Sequence, residues 1–150
     1  MRATLALLVA APLSLLGCVD TELGLDARIQ SASLTVTGAA VEASLDVHYR
    51  VGPHAQEAHA FQPQAIELFV GDTQVAQLSP QTSSGSAGSL DPGQSADITL
   101  SGQKDGVTEA SRLCGADVRV LLRWLDSSPG SPGAPTVGMT DATTMDVTCR

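Results

Sequence analysis

The stretch Val41-Glu42-Ala43-Ser44-Leu45-Asp46-Val47-His48-Tyr49-Arg50-Val51 decides the fold class. Every odd position is apolar and every even position is polar or charged. In a β-strand, successive side chains leave opposite faces. This segment therefore has one core face and one wet face. On a helix the same residues would scatter around the circumference and form no apolar stripe.

The same period recurs on both sides of this strand. Residues 29–37 place Ala32, Leu34 and Val36 on one face. Downstream, Ile66, Leu68 and Val70 alternate in 64–70, Ala76 and Leu78 in 74–79, and Ala96, Ile98 and Leu100 in 95–101. Val118, Val120, Leu122 and Trp124 alternate in 117–126, and Met145, Val147 and Cys149 close the run 138–149. The count is about seven strands. Between 64–70 and 74–79, hydrophobic register favours a three-residue loop, Gly71-Asp72-Thr73, which sets Leu68 against Ala76 and Ile66 against Leu78. Asp91-Pro92-Gly93-Gln94 is a type II turn signal, because Pro presets φ and Gly accepts a positive φ. Residues 83–89 (SSGSAGS) read as a loop, and a brief helical turn is expected at 108–113.

Seven alternating strands without a long amphipathic helix predict an all-β domain. The expected architecture is a single antiparallel immunoglobulin-like β-sandwich, with a small barrel as the alternative. The phrase Leu90–Leu100, LDPGQSADITL, and its flanking strands resemble bacterial immunoglobulin-like and CARDB-type modules over roughly 64–126. That resemblance carries no diagnostic motif and implies adhesion, spacer or accessory roles.

The chain has 150 residues, of which 43% are hydrophobic, 16% charged and 3% aromatic, with a formal charge of −8. One domain of ordinary size fits this length. Nucleic acid is excluded as a partner, since phosphate binding needs clustered Lys and Arg. Of the four aromatics, Tyr49 and Trp124 are in phase with the core. Phe61 and Phe69 are left as possible exposed contacts.

The first residues read as an address. Arg2 is the only charge before Asp20, and the run from Ala3 to Gly17 is apolar with Thr4, Pro12 and Ser14 as interruptions. It is shorter than the ~20 residues of a spanning helix. A basic start, a short apolar core and a small residue before the cut describe a secretory signal peptide. Leu15-Leu16-Gly17-Cys18 resembles the lipobox of bacterial lipoproteins, with Leu16 where a smaller residue is commoner. The resemblance implies cleavage before Cys18, a diacylglycerol on its sulfur and a further acyl chain, such as palmitate, on its amino group. Two or more acyl chains anchor stably, at about 0.8 kcal/mol per buried CH₂. The expected organisation is a signal peptide at 1–17, a lipidated N-terminus and tether at 18–27, and a sandwich at 28–150. Val19 follows the cysteine where enterobacterial sorting would use Asp for inner-membrane retention, so the outer membrane is favoured over the inner. Cleavage leaves 133 residues and, with Arg2 gone, moves the charge from −8 to −9.

The other two cysteines form an even pair. Placing 117–126 and 138–149 in one hairpin with Cys114 opposite Cys149 gives an index sum of 263. This pairs Val118 with Met145 and Ala116 with Val147, and leaves 127–136 (SSPGSPGAPT) as the loop. A Cys114–Cys149 disulfide at the hairpin base is predicted, with export supplying the oxidising compartment. Its closed loop of about 36 residues corresponds to roughly 3–4 kcal/mol by loop-closure entropy.

No catalytic signature, phosphate loop or EF-hand pattern is present, and no cofactor is expected. Ser84-Gly85-Ser86-Ala87-Gly88 lacks the first Gly of a nucleophile elbow. His48, His54 and His59 are the candidate metal ligands of an alternative, metal-handling or enzymatic reading. His48 falls on a wet face and the other two in a loop at 52–63, with Glu57 between them. The leading expectation is non-catalytic: a lipid-anchored envelope protein with a binding or structural role. Its partner contacts would use a sheet edge or the loops 52–63, 80–93 and 127–136. A hydrolase inhibitor presenting loop 127–136 is a further alternative.

Overall fold

The computed structural model of the chain describes residues 24–85, 88–127, 136–142 and 145–150. Among them are ten strands: β1 Leu25–Thr37, β2 Ala40–Val51, β3 His59–Val70, β4 Thr73–Leu78, β5 Gln81–Ser84, β6 Ser89–Leu90, β7 Ser95–Lys104, β8 Val118–Ser127, β9 Thr136–Ala142 and β10 Asp146–Cys149. The brief helical turn expected near 110 is a 3-10 turn at Ala110–Leu113 that buries Ala110 and Leu113. The strands form two sheets. The first has the order β10-β1-β2-β7-β5; the second has β4-β3-β8-β9, with β6 pairing β3. Their inner faces form one core, so the domain is a β-sandwich.

The alternation in 41–51 does what its period predicts. Val41, Ala43, Leu45, Val47, Tyr49 and Val51 are all buried, while Glu42, Asp46 and Arg50 are exposed. Full burial of side chains such as Val, Leu and Ile contributes about 1.5–3 kcal/mol each, which makes this central strand a principal source of stability. At Gly102 the first sheet packs tightly against β3 and β4 of the second. A Cβ there would lie 2.9 Å from Leu78 Cβ and 3.2 Å from Ile66 Cδ1.

Several boundaries differ from the sequence expectation. β1 starts at Leu25, inside the segment expected to be a tether, and pairs Leu25 with Val51 and Ala27 with Tyr49. β3 starts at His59 rather than 64. A register shift between Pro63 and Ala65 lets the two halves of the strand keep their apolar residues inward. The polar run Gln62-Pro63-Gln64 hides this strand from a period-two reading. The segment expected as loop 80–93 contains β5 and β6.

The β3–β4 hairpin has the predicted facing pairs, Ile66 with Leu78 and Leu68 with Ala76. Its loop, however, is two residues, Gly71-Asp72. A bulge between Leu68 and Phe69 absorbs the difference. Gly71 has φ +59 and, among the described residues, no non-glycine residue, Asp72 included, has positive φ, the arrangement that a type II′ hairpin requires.

The segment expected as one strand over 138–149 divides between the sheets. β9 pairs with β8 in the second sheet, and β10 pairs in parallel with β1 in the first. The β8–β9 register joins Trp124 to Gly138, Leu122 to Thr140 and Val120 to Ala142, an index sum of 262. The predicted sum of 263, and with it the Val118–Met145 and Ala116–Val147 pairs, is incorrect. A shift of one residue exchanges the two faces, and in the observed register the smallest residue stands opposite the largest. The disulfide is nevertheless formed: Cys114 and Cys149 are joined, with Cα atoms 6.1 Å apart. It ties an edge strand of the first sheet to the segment that leads into β8, instead of closing a hairpin.

Candidate functional site

One end of the sandwich gathers most of the features singled out in the sequence. There β1 and β7 begin, β2 ends, and β3 begins beside the end of β8. The loops after β2 and before β7 are knitted into one layer with the incoming chain. Gly52 N–H donates to Gly24 O at 2.9 Å, and Val51 N–H to Gln94 O at 2.9 Å. Gly93 N–H donates to Val51 O at 3.1 Å and to Gly52 O at 3.2 Å. The Asp91–Gln94 turn closes with Gln94 N–H donating to Asp91 O at 3.0 Å, and Gly93 has φ +81, as type II geometry demands.

Inside this end lies a polar pair. His59 Nδ1 is 2.7 Å from Asp126 Oδ2 and 2.9 Å from Oδ1. Both side chains are almost wholly withdrawn from solvent, at 11% and 12% exposure. A carboxylate only accepts, so the imidazole N–H at Nδ1 donates, which orients the ring. Next to this pair is the aromatic cluster. Tyr49 stacks on Phe61 with centroids 5.2 Å apart, and Trp124 is tilted against Phe61 at 5.5 Å. Such pairs add about 0.5–1.5 kcal/mol beyond area burial. The cluster draws one ring from the first sheet and two from the second, so it fastens the sheets together. Burial raises the Tyr49 hydroxyl above its ordinary pKa. That hydroxyl donates to Gly88 O at 3.4 Å.

The three histidines do not converge. His48 lies on the outer face of the first sheet, with Nδ1 2.8 Å from Asp97 Oδ1. It borders a shallow depression of about 310 Å³ with Asp26, Arg28, Gln30 and Arg50. His54 and His59 line a second depression of about 290 Å³ with Gln56 and Glu57. The expectation that His59 sits in a surface loop is corrected: it opens β3 and is 8% exposed. Among the described residues, no three His, Cys, Asp or Glu side chains are placed to share a metal ion.

The expectation that Phe61 is exposed is also corrected, since it is fully buried. Phe69 is out of phase with the core, as read from the sequence. It is half-covered on the outer face of the second sheet, where the Arg119 guanidinium lies 5.0 Å above its ring. Beside it, Arg123 Nε donates to Glu67 Oε1 at 2.6 Å. Glu67 is buried, and its hydrogen bond and charge raise the Arg123 pKa further above its ordinary value. Sequence reasoning missed this pair and His59–Asp126. The register that brings each pair together depends on the bulge at 63–65.

On the outer face of the first sheet, Asp46 accepts from Ser31 Oγ at 2.6 Å and Thr99 Oγ1 at 2.9 Å. These bonds, Ser31 first, hold its carboxyl below the ordinary 3.8. Cys18 and residues 128–135, the body of the proposed inhibitor loop, lie outside the described residues. Among the described residues, no helix is long and apolar enough to cross a membrane.

No family model matches the chain, and no curated protein matches it. Among solved structures, it is similar to a candidate lipoprotein, YcdA, from Bacillus subtilis subsp. subtilis str. 168. The two are 13% identical, with a TM-score of 0.46, over 82% of this chain. The chain spans 37% of the length of that protein.

Proposed function

We propose that this chain is a bacterial envelope lipoprotein, held by acyl chains on Cys18, whose sandwich has a non-catalytic binding or structural role. The observation that carries the reading is Leu15-Leu16-Gly17-Cys18 behind a short apolar run with a single basic residue. The position of β1 supports it. Leu25 is seven residues after Cys18, a span of about 25 Å at most when fully extended. The end bearing His54, Glu57, Arg28 and Arg50 is then the membrane-proximal end. The disulfide end then lies away from the membrane, and it and the free sheet edges, which run between the two ends, are the surfaces offered to a partner. Val19 after the cysteine favours the outer membrane.

The sandwich belongs, in this reading, to the immunoglobulin-like class. The order β1-β2-β7-β5 against β4-β3-β8-β9 supports this, since it follows the four-strand sheets of that fold with β10 added at one edge. A binding role suits the chemistry of the polar groups. His48 and His59 are each engaged by a carboxylate, and Arg123 by Glu67.

Membrane fractionation of a bacterial host expressing the full chain tests the anchoring. Wild type is expected in the membrane fraction and Cys18→Ser is expected to be lost from it as a mature form. Equal partition of the two would overturn the proposal. Crosslinking in the native envelope, followed by pull-down, identifies the partner.

A further inference from the structure

Among the described residues, β10 pairs only with β1. Asp146–Cys149 pairs in parallel with Ser33–Val36 of β1, and the ladder ends with Arg150 N–H donating to Val36 O at 2.9 Å. Four parallel positions are a weak hold, since parallel pairing is slightly less stable per residue than antiparallel. Burial adds little, because Met145 and Val147 are only partly covered and Asp146, Thr148 and Cys149 are exposed. The remaining attachment is covalent, through Cys114. β1, in contrast, is paired with β2 from Leu25 to Thr37 and contributes Ile29, Ala32, Leu34 and Val36 to the core. β10 can therefore leave without dismantling the sandwich.

We propose that the Cys114–Cys149 disulfide is a redox-operated latch on β10, and that β10 covers a strand-accepting edge at Ser33–Val36 of β1. This goes beyond the anchoring proposal and stands independently of it. The reductant is a dithiol. Its thiolate attacks Cys149 Sγ, which belongs to an exposed residue; the Cys114–Cys149 bond breaks and Cys114 departs as a thiolate that takes up a proton. The second thiol then attacks the mixed disulfide, releasing Cys149 as a thiol and leaving the reductant as a cyclic disulfide. Two electrons pass from the dithiol to the protein. The freed edge presents backbone N–H and C=O groups to an extended polypeptide segment. β10 itself shows what fits: a short extended segment, parallel to β1, with one apolar residue, Val147, packed toward the core.

Hydrogen exchange of the purified protein, oxidised and after reduction by dithiothreitol confirmed by thiol counting, tests this. Reduction is expected to raise exchange at 33–36 and 146–149 at least tenfold and to leave 41–51 and 118–126 unchanged. The Cys114→Ser/Cys149→Ser variant is expected to match the reduced protein. Unchanged exchange at 33–36 in the reduced protein would overturn the proposal. So would a uniform acceleration across the domain, which would make the bond a global staple.

Discussion

His59 Nδ1 lies 2.7 Å from Asp126 Oδ2 between two strands of one sheet, with both side chains nearly out of solvent. Its counterpart, His48 with Asp97 at 2.8 Å, has the same contact in the open, where the side chains are 36% and 70% exposed. Burial separates their energetics. Asp126→Ala strands a buried donor and is expected to cost about 1–3 kcal/mol in urea unfolding. Asp97→Ala is expected to cost less than about 1 kcal/mol. Equal losses would mean that the buried pair is not a stabilising element.

The aromatic cluster makes Phe61 a critical side chain between the sheets. Phe61→Ala is expected to cost about 3–5 kcal/mol, because the cavity lies between Tyr49 and Trp124 and neither ring can fill it from its own strand. Phe69→Ala removes only a half-covered ring under Arg119, and its expected cost is about 1 kcal/mol. Thermal unfolding of the two variants side by side checks the order.

Gly102 tests how closely the sheets pack. Alanine there would meet Leu78 Cβ at 2.9 Å, a backbone-fixed atom that cannot swing aside. Gly102→Ala is expected to destabilise by about 1–3 kcal/mol, in the range of overpacked cores. A neutral or stabilising result in chemical denaturation would mean that the sheets separate more freely there.

Asp46 provides a pH dependence with a defined sign. Its hydrogen bonds from Ser31 and Thr99 favour the carboxylate in the folded state and hold its pKa below 3.8. A depressed folded pKa contributes stability above the unfolded value, and that contribution is lost as pH falls through the folded one. Ser31→Ala/Thr99→Ala is therefore expected to be less stable than wild type at pH 7, by under about 1 kcal/mol for so exposed a site. The gap is expected to narrow below pH 3.8. A gap that stays constant in urea titrations down to pH 3 would contradict the assignment.

The strands whose two faces meet different surroundings were legible in the sequence. Val41–Val51 is read correctly residue by residue, because core and water impose opposite demands on alternate positions. The facing of Ile66 with Leu78 follows from the same rule, although the bulge at Leu68/Phe69 moved the loop boundary by one residue. Strand exchange between sheets was not legible. Only Met145, Val147 and Cys149 alternate in 138–149, and that period is the same whether the neighbour is β8 or β1, so nothing local separates the β9 part from the β10 part. The cysteine pair was found although its register was misjudged, since exclusion of Cys18 leaves one pairing whatever the topology. His59 was placed in a loop because Pro63 and two glutamines interrupt its strand, and the bulge that rescues the register has no local signature.

In the proposed lipoprotein, Cys18 carries the lipid and the remaining two cysteines are joined. Intact-mass analysis of the mature chain extracted from bacterial membranes, before and after reduction, measures both. The expected chain begins at Cys18, bears a diacylglycerol and an acyl chain there, and gains two hydrogens on reduction. A chain that begins elsewhere, or a Cys18 without acyl groups, would contradict the proposal.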